Sequence, residues 1–159
     1  MKTIKKFTSV AVGGTFDILH KGHITLFAKA FSISQHVIIG LTSDKFTIQK
    51  QKQILHNYNT REHALKNMII SNFPNSSYAI CKIEDEFGPT LYECNIDALI
   101  VSNDTKNIGY KINKTRKKLN LSQLKIIVMP IVIAEDGKSI SSTRIKNYEI
   151  DKNGKLNNC

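Results

Sequence analysis

The stretch VAVGGTFDILHKGH, residues 10–23, runs from an apolar segment through two glycines to two histidines that lie three positions apart. Residues 10–12 lack the polar alternation of a half-exposed strand, and such runs are typical of strands buried on both faces of a parallel sheet. Gly13 and Gly14 follow where this strand ends, so a ligand can approach the backbone closely there. A helix that begins beyond the glycines presents unpaired N–H groups, which favour an anion. The stretch therefore predicts a buried parallel strand followed by an anion-binding turn.

The same strand pattern recurs along the chain, and helical patterns separate the runs. Further short apolar runs occupy residues 37–41, 78–83, 98–101 and 126–129. Apolar side chains recur at helical spacing over residues 22–31, 60–73 and 106–119. Thr60 is the predicted N-cap of the second of these helices. Because strand and helix alternate, we predict an α/β fold, a doubly wound, Rossmann-like parallel sheet of five strands with right-handed crossovers.

The chain is expected to form a single domain over residues 1–150, because no linker or internal repeat divides it. Residues 151–159 are polar and have no apolar face, so we expect a flexible tail there. Residues 43–59 are lysine-rich and longer than most connections between a strand and a helix. This segment is a candidate lid over a binding site.

The overall composition narrows the class of protein. Hydrophobic residues make up 41% of the chain and no long apolar run is present, so we expect a globular protein that does not cross a membrane. The formal net charge of +10 favours anionic partners. The basic residues are scattered, however, and do not alternate with aromatic residues as on a nucleic-acid-binding surface. Three widely spaced cysteines and the absence of a leader pattern favour a reducing, cytoplasmic location.

His20 and His23 open the first predicted helix on one face, so both side chains are expected to point toward a ligand at the glycine turn. The turn lacks the spacing of a Walker loop and of a dinucleotide-binding glycine motif. The pair of histidines in this position favours phosphate chemistry over a role in the core. Asp17 is open to two interpretations, a ligand of metal or substrate, or an Asx-type hydrogen bond that holds its own turn.

A second helix start with phosphate-binding character comes late in the chain, in SISSTRIK, residues 139–146. Ser141 is a suitable N-cap, which places Ser142, Thr143 and Arg144 in the first helical turn. A cation at this end of a helix is unfavourable unless an anion is bound, so capping alone leaves Arg144 unexplained. We therefore predict that two helix N-termini, distant in sequence, converge on one triphosphate.

The segment TFDILHKGH, residues 15–23, resembles the H-x-G-H signature of the HIGH-type nucleotidyltransferases. Together with the late ISSTRI, it resembles the motif pair of the phosphopantetheine adenylyltransferase family. The stretches GGTFDILHKGH, IGLTSDKF, EFGPT, IDALIVS and DGKSISSTRIKNYEID are similar to the archaeal and eukaryotic branch of that family, over about residues 7–151. Two positions depart from the family pattern, since Asp104 stands for a glutamate and Lys146 for an arginine.

The resemblance implies that the phosphate of 4′-phosphopantetheine attacks the α-phosphorus of ATP, giving dephospho-coenzyme A and pyrophosphate without a covalent enzyme intermediate. It implies that Thr15 and His23 contact the reacting phosphate, and that a side chain at Gly22 would crowd the nucleotide. Mg²⁺ is expected to be bridged mainly by the phosphates of ATP, with no dedicated protein site. The residues expected to bind the nucleotide are Gly13, Gly14, Thr15, Phe16, Asp17, His20, Gly22, His23, Asp104, Ser141, Ser142, Thr143 and Arg144.

The acceptor phosphate needs cations of its own. Lys45 follows the second strand and Arg61 opens the next predicted helix, so these two join Thr15 and His23 as predicted catalytic residues. Lys50 and Lys52 are interpreted as surface lysines.

Other activities fit parts of the pattern. A cytidylyltransferase that activates head groups and an FMN adenylyltransferase share the first motif, and the choice among these enzymes depends on the acceptor pocket. A basic nucleic-acid-binding domain is a minor alternative from a different class. An inactive regulator with the same fold is disfavoured because both motifs are intact.

Overall fold

Strands and helices alternate throughout the computed structural model, which describes residues 4–158. Within those residues the strands are β1 (Phe7–Gly14), β2 (Ser34–Thr42), β3 (Tyr78–Ile83), β4 (Ala98–Ser102) and β5 (Lys125–Met129). The helices are α1 (Lys21–Ile33), α2 (Asp44–Gln49), α3 (Tyr58–Asn72), α4 (Lys106–Lys118) and α5 (Ser142–Lys146), and a short 3₁₀ helix spans Gly88–Leu91. All five strands and all three long helices expected from the sequence are present.

The five strands form one parallel sheet in the order β3-β2-β1-β4-β5. β1 lies at the centre, where Val12 is paired with Ile39 of β2 and with Ile100 of β4. The chain runs from β1 out to β3 and then returns to the other side of β1, so the direction of winding reverses between β1 and β4. This confirms the doubly wound prediction, and such a reversal is where open α/β sheets bind their ligands.

Helices cover both faces of the sheet because the strands are apolar on both. On one face Val12 packs in a cluster with Phe27 of α1 and Leu65 of α3. On the other face Ala11 packs with Ile112 of α4. Successive residues of β1 point to opposite faces, which explains why the strand shows no polar alternation. Within residues 4–158, no helix combines the length and the apolar character that a membrane span requires.

α3 begins three residues earlier than the sequence pattern indicates, at Tyr58 instead of Arg61. Its N-cap is Asn57, whose side-chain oxygen accepts a hydrogen bond from the backbone N–H of Thr60 at 3.0 Å. The prediction that Thr60 caps this helix was therefore wrong. Asparagine is preferred over threonine as an N-cap, and Thr60 lies inside the first turn.

Residues 43–59 contain a helix and not only a polar loop. Ser43 caps α2 by accepting a hydrogen bond from the N–H of Phe46 at 3.0 Å. Beyond α2 the chain turns at Gln51, which has a positive φ of 55°. The movement of this segment as a lid stays a prediction.

Residues 151–158, the described part of the expected tail, fold back on the domain. The carbonyl of Lys152 accepts a hydrogen bond from the N–H of Lys21 at 2.9 Å, at the start of α1. Gly154 makes the turn with a φ of 85° and is buried. Backbone groups make these contacts, and composition does not report on backbone groups. The flexibility expected of the tail stays a prediction. Cys159 lies outside the described residues.

A small second core seats α5. Ala134, Ile140 and Ile150 are buried together, and Val132 and Ile145 pack against them. Because Ile145 belongs to α5, this cluster fixes the late helix to the segment that precedes it.

Candidate active site

The carboxyl end of β1 opens onto a cavity of about 340 Å³ on the α4 face of the sheet. Gly13, Gly14 and Thr15 form one edge of this cavity. Its apolar lining includes Ala11, Ile38, Leu99, Ile108 and Ile112. A Cβ at Gly13 would have its nearest contact at 3.8 Å, whereas a Cβ at Gly14 would lie 2.9 Å from the ring of Phe16. Gly14 is therefore required by the close approach of Phe16, and Gly13 leaves the backbone open to the cavity.

Phe16 supports the turn from the core side. It adopts a left-handed φ of 49° and is only 3% exposed. Its ring meets the imidazole of His23 edge-on, with centroids 5.1 Å apart, and packs against Phe27 at 5.4 Å. The side chain that was expected to bind the nucleotide therefore faces the core, where it orients His23.

His20 and His23 form a reciprocal cap at the start of α1. The Nδ1 atom of His20, the N-cap residue, accepts a hydrogen bond from the N–H of Gly22 at 3.1 Å. The Nδ1 atom of His23 accepts a longer one from the N–H of His20 at 3.3 Å. The two rings stack with centroids 3.9 Å apart. The two histidines predicted to face one ligand thus lie side by side, and the backbone fixes both rings.

Both imidazoles are neutral near pH 7. Burial lowers the pKa of His20 to about 4. Burial, aided by repulsion from His20, lowers the pKa of His23 to about 3. A neutral imidazole carries one N–H, and because each Nδ1 is an acceptor, the proton lies on Nε2. Among the residues that the structure describes, neither Nε2 has a hydrogen-bond partner, so the turn offers a phosphate two oriented, uncharged donors.

Gly22 is required by His20 itself. A Cβ at Gly22 would lie 2.9 Å from Cε1 and 3.0 Å from Nδ1 of the His20 ring. The sequence suggested that such a side chain would crowd the nucleotide. The collision instead occurs within the chain, because the ring of His20 lies over the N–H of Gly22 to accept its hydrogen bond.

Asp17 binds other parts of the chain and does not hold its own turn. Its side chain is 3% exposed and pairs with Nζ of Lys146 at 2.7 Å. It also accepts the backbone N–H groups of Leu55 and His56 at 2.9 and 3.0 Å. Burial alone would raise the pKa of Asp17, but the hydrogen bonds from Lys146, Leu55 and His56 outweigh burial and lower it. The Asx interpretation was wrong, and groups of the chain itself occupy the carboxylate that a metal ion or substrate would need.

Arg61 lies buried beneath the site and does not close over it. Its side chain is 0% exposed. The guanidinium donates to the carbonyls of His56 and Thr15 at 3.0 and 2.8 Å and to the carboxylate of Asp44 at 2.7 Å. Buried carbonyls at the end of a strand need donors, and Arg61 supplies them. Arg61 was predicted to contact the acceptor phosphate. In the structure it instead joins the turn between β1 and α1 to residues 43–59.

α5 begins beside the turn between β1 and α1 that carries His20 and His23, called the histidine turn below. Ser141 caps it by accepting a hydrogen bond from the N–H of Arg144 at 3.2 Å, as the sequence predicted. The hydroxyl of Ser142 donates to the carbonyl of Ile18 at 3.1 Å, which joins stretches 124 residues apart. The two helix starts therefore lie together. The hydroxyl of Thr143 is exposed and has no hydrogen-bond partner within residues 4–158.

Arg144 has anionic partners within the chain. Its guanidinium pairs with the carboxylates of Glu149 at 2.9 Å and Asp136 at 2.6 Å, and it donates to the carbonyl of Ser139 at 3.0 Å. Hydrogen bonds to Glu149 and Asp136 raise the pKa of Arg144. The inference that this cation needs a bound phosphate was wrong, because it considered the helix dipole and not the carboxylates that the fold brings close.

The lysines at the cavity differ from those expected. Lys50 and Lys52 line the cavity, whereas Lys45 is exposed and does not line it. Lys50 forms an ion pair with Glu86, which also lines the cavity. Lys50 and Lys52 are both exposed, as expected of surface lysines, and in addition they line the cavity.

Asp104 is exposed in the turn between β4 and α4. Its neighbour Thr105 lines the cavity, and the hydroxyl of Thr105 accepts a hydrogen bond from the N–H of Ser102 at 3.0 Å. The nucleotide contact expected of Asp104 stays a prediction.

The carboxylate nearest the histidine turn has a partner within the chain. Asp17 is buried and paired with Lys146. Within residues 4–158, no three His, Cys, Asp or Glu side chains form a cluster able to hold a metal ion. Binding of Mg²⁺ through the phosphates of ATP stays a prediction.

The neutral donors His20 and His23 lie at the start of α1, and the start of α5 lies beside them. This arrangement suits the transfer of a phosphate-linked group between two anionic reactants. Together with a cavity at the point where the sheet reverses its winding, these donors fit a nucleotidyltransferase. Residues 11–148 accordingly match the family described as cytidylyltransferase-like.

Individual relatives narrow the family further. A protein of Methanosarcina acetivorans named phosphopantetheine adenylyltransferase is 43% identical, over 92% of this chain and 94% of the relative. A protein of the same name from Methanopyrus kandleri is 34% identical, over 96% of each chain. This chain belongs to the phosphopantetheine adenylyltransferase family. A crystal structure of a protein of unknown function from Archaeoglobus fulgidus is similar with a TM-score of 0.71 at 28% identity, covering 77% of this chain and 90% of that one.

Proposed function

We propose that this chain transfers the adenylyl group of ATP to 4′-phosphopantetheine, giving dephospho-coenzyme A and pyrophosphate. The observation that carries the proposal is the pair of neutral histidine donors, His20 and His23, at a turn that borders a largely apolar cavity. The relatives from Methanosarcina acetivorans and Methanopyrus kandleri are named for this activity. The cavity of about 340 Å³ is within the usual size range of small-molecule pockets.

In the proposed reaction a phosphate oxygen of the acceptor attacks the α-phosphorus of ATP. The bond from that phosphorus to the oxygen between the α- and β-phosphates breaks, and pyrophosphate leaves with the bonding electrons. The nucleophile is already a phosphate oxygen, so no serine or cysteine nucleophile is required. Catalysis then depends on holding the reactants in line and on donors placed where negative charge develops.

His23 and His20 are the proposed donors to the α-phosphate and its neighbours through their Nε2–H groups. The caps and the ring stacking hold both imidazoles in place, so the donors need no reorganisation as charge moves onto the leaving group. The backbone N–H groups at the start of α1 favour the same anion. Thr15 is proposed to contact the α-phosphate through its hydroxyl, while Arg61 fixes its carbonyl at 2.8 Å.

The β- and γ-phosphates are proposed to lie at the start of α5. Thr143, whose hydroxyl is exposed, is the proposed donor there. Arg144 is held by Asp136 and Glu149. Arg144 therefore contacts the leaving pyrophosphate only by exchanging one of these carboxylates for a phosphate oxygen.

The cavity beside Gly13 is the proposed site of the acceptor. Its apolar lining suits the pantetheine arm, and Lys50 and Lys52 at the same cavity suit the acceptor phosphate. They take the place of Lys45 and Arg61 in this role. Glu86 neutralises Lys50 in the absence of acceptor, so the incoming phosphate replaces one anion by another.

Mg²⁺ is the proposed metal ion, held by the phosphates of ATP, where it neutralises charge on the triphosphate. A cytoplasmic location is proposed as well. Cys81 and Cys94 carry free thiols, and free thiols persist in reducing compartments.

The test is release of pyrophosphate by the purified protein from ATP and Mg²⁺, with a panel of phosphorylated acceptors. We expect release with 4′-phosphopantetheine. Release with phosphocholine, glycerol phosphate or FMN, and none with 4′-phosphopantetheine, would contradict the proposal. That result would favour a cytidylyltransferase-type enzyme or an FMN adenylyltransferase, and replacing ATP by CTP in the same assay identifies the nucleotide.

A further inference from the structure

Lys146, the last residue of α5, joins three separate parts of the chain. Its Nζ atom lies 2.7 Å from a carboxylate oxygen of Asp17, in the turn between β1 and α1. The same atom donates to the carbonyl of Gln53 at 2.6 Å, in the segment between α2 and α3. The Lys146 side chain is only 19% exposed. One ammonium group thus holds α5, the histidine turn and residues 53–56 together.

The other partners of Asp17 reinforce the same junction. Its two oxygens accept the N–H groups of Leu55 and His56, and Nδ1 of His56 lies 3.0 Å from one of them. The Asp17 side chain, which is 3% exposed, therefore has the Lys146 ammonium as its counter-charge and three further hydrogen-bonding partners. Removing the ammonium would leave a buried carboxylate without its cation, which is strongly unfavourable. The junction is accordingly expected to loosen as a unit when Lys146 is lost.

The junction is connected to the proposed ATP site and to the proposed acceptor site. On the nucleotide side, α5 is also tied to the histidine turn by the hydroxyl of Ser142, which donates to the carbonyl of Ile18 at 3.1 Å. On the acceptor side, the carbonyl of His56 accepts a hydrogen bond from Arg61, and Arg61 in turn holds the carbonyl of Thr15 at 2.8 Å. A displacement of residues 53–56 is therefore transmitted to the edge of the acceptor cavity.

We propose that Lys146 is a positioning residue for adenylyl transfer, which acts through Asp17 and Gln53 to hold the start of α5 and the acceptor-side segment in fixed relation to the histidine turn. This role rests on the proposed function, because it concerns the alignment of ATP with its acceptor. Lys146 is not assigned a contact with either substrate. In-line transfer is sensitive to small displacements, and a shift of about 1 Å can lower a rate on the order of a hundredfold.

The test compares Lys146→Met, which keeps the length of the side chain and removes the charge, with Lys146→Arg, which keeps the charge. Lys152→Met is the control, because Lys152 and Lys146 both line a second pocket that includes Asp17, but Lys152 forms no ion pair within residues 4–158. Hydrogen exchange of the backbone amides of Leu55 and His56, measured without substrate, reports whether the junction has opened. Steady-state kinetics with ATP and 4′-phosphopantetheine report alignment.

We expect Lys146→Met to speed exchange at Leu55 and His56 about tenfold or more and to lower kcat about tenfold or more, with each KM changed less than about threefold. Lys146→Arg should retain most of the wild-type kcat, and Lys152→Met should match the wild type in both measurements. If Lys146→Met does not fold at the assay temperature, Lys146→Gln, which keeps a donor without the charge, takes its place.

Unchanged exchange at the two amides in the charge-removing variant would overturn the positioning role. So would faster exchange with an unchanged kcat, since the junction would then not affect alignment. A wild-type protein that releases no pyrophosphate with 4′-phosphopantetheine contradicts the proposed function instead. The exchange measurement needs no substrate, so the two failures are distinguishable.

Discussion

Lowering the pH from 8 to 5 is expected to destabilise the folded protein, because the fold holds His20 and His23 neutral. The pKa of His20 is about 4 and that of His23 about 3, against an ordinary value of about 6.5 in the unfolded chain. As the pH falls below 6.5, His20 and His23 bind protons in the unfolded chain but stay neutral in the folded chain. The stabilisation is therefore fully present above pH 6.5 and is lost progressively as the pH falls toward 4.

The size of this effect follows from the two pKa values. At pH 5 an unfolded imidazole lies about 1.5 pH units below its pKa, which corresponds to about 2 kcal/mol at 1.36 kcal/mol per unit. His20 and His23 together then cost about 4 kcal/mol of unfolding free energy, a large part of the 5–15 kcal/mol typical of a domain. Urea unfolding at pH 8 and pH 5 measures the difference.

His20→Asn is the matched variant for this prediction. Asparagine can still cap α1 but does not titrate, so about half of the pH-dependent loss should disappear. His63→Asn, at an exposed position of α3, is the control and should show the wild-type dependence. NMR titration of the ring protons checks the cause directly. Signals of His20 and His23 that titrate near pH 6.5 in the folded protein would refute the argument, because the rings would then accept protons without unfolding.

Three further predictions concern other parts of the site. Gly22→Ala places a Cβ 2.9 Å from the ring of His20. Alanine stabilises the helix by about 1 kcal/mol relative to glycine, and displacement of the His20 cap destabilises it by about as much. The thermal midpoint should therefore change little, while the rate of pyrophosphate release should fall sharply. An unaffected rate would show that the His20 ring can move at no cost. Arg144→Gln breaks two ion pairs and should lower the thermal midpoint slightly, with a clear fall in adenylyl transfer; normal turnover would remove Arg144 from the phosphate site. Lys50→Met should raise the KM for the acceptor about tenfold and Lys45→Met should not, and equal effects in steady-state kinetics would contradict the assignment of the cavity.

The strands could be predicted from the sequence because their pattern is local. Residues 78–83 were expected to form a strand and coincide with β3, and residues 126–129 fall within β5. A run of β-branched residues between turn signals carries this information within five or six positions. The turn with His20 and His23 was also predictable, since three residues of spacing on a helix start place two rings on one side.

The roles of individual charged residues could not be predicted, because they depend on contacts between distant segments. Arg61 was expected at the surface of the site, yet it is fully buried. Arg116 is 1% exposed and donates to the carbonyls of Ser122 and Thr90. An isolated arginine in a sequence is usually exposed, and only the fold shows that these two meet carbonyls.

The partners of the three arginines determine which positive charges a substrate can meet. Arg61, Arg116 and Arg144 all have partners within the chain, and Lys50 pairs with Glu86. Of the two lysines at the cavity, Lys52 has no ion-pair partner within residues 4–158, and Lys50 becomes available when its pair with Glu86 opens. A lysine is a compact charge on a flexible stem, which neutralises a phosphate but orients it poorly. Orientation must then come from rigid, neutral donors.

The Nε2–H groups of His20 and His23 meet that need, because backbone hydrogen bonds and stacking fix both rings and burial keeps them uncharged. A neutral donor gains little from the charge already present on ATP and more from charge that concentrates on one oxygen in the transition state. We therefore expect the lysines at the cavity to govern affinity for the acceptor, and the geometry of the histidine turn to govern the rate.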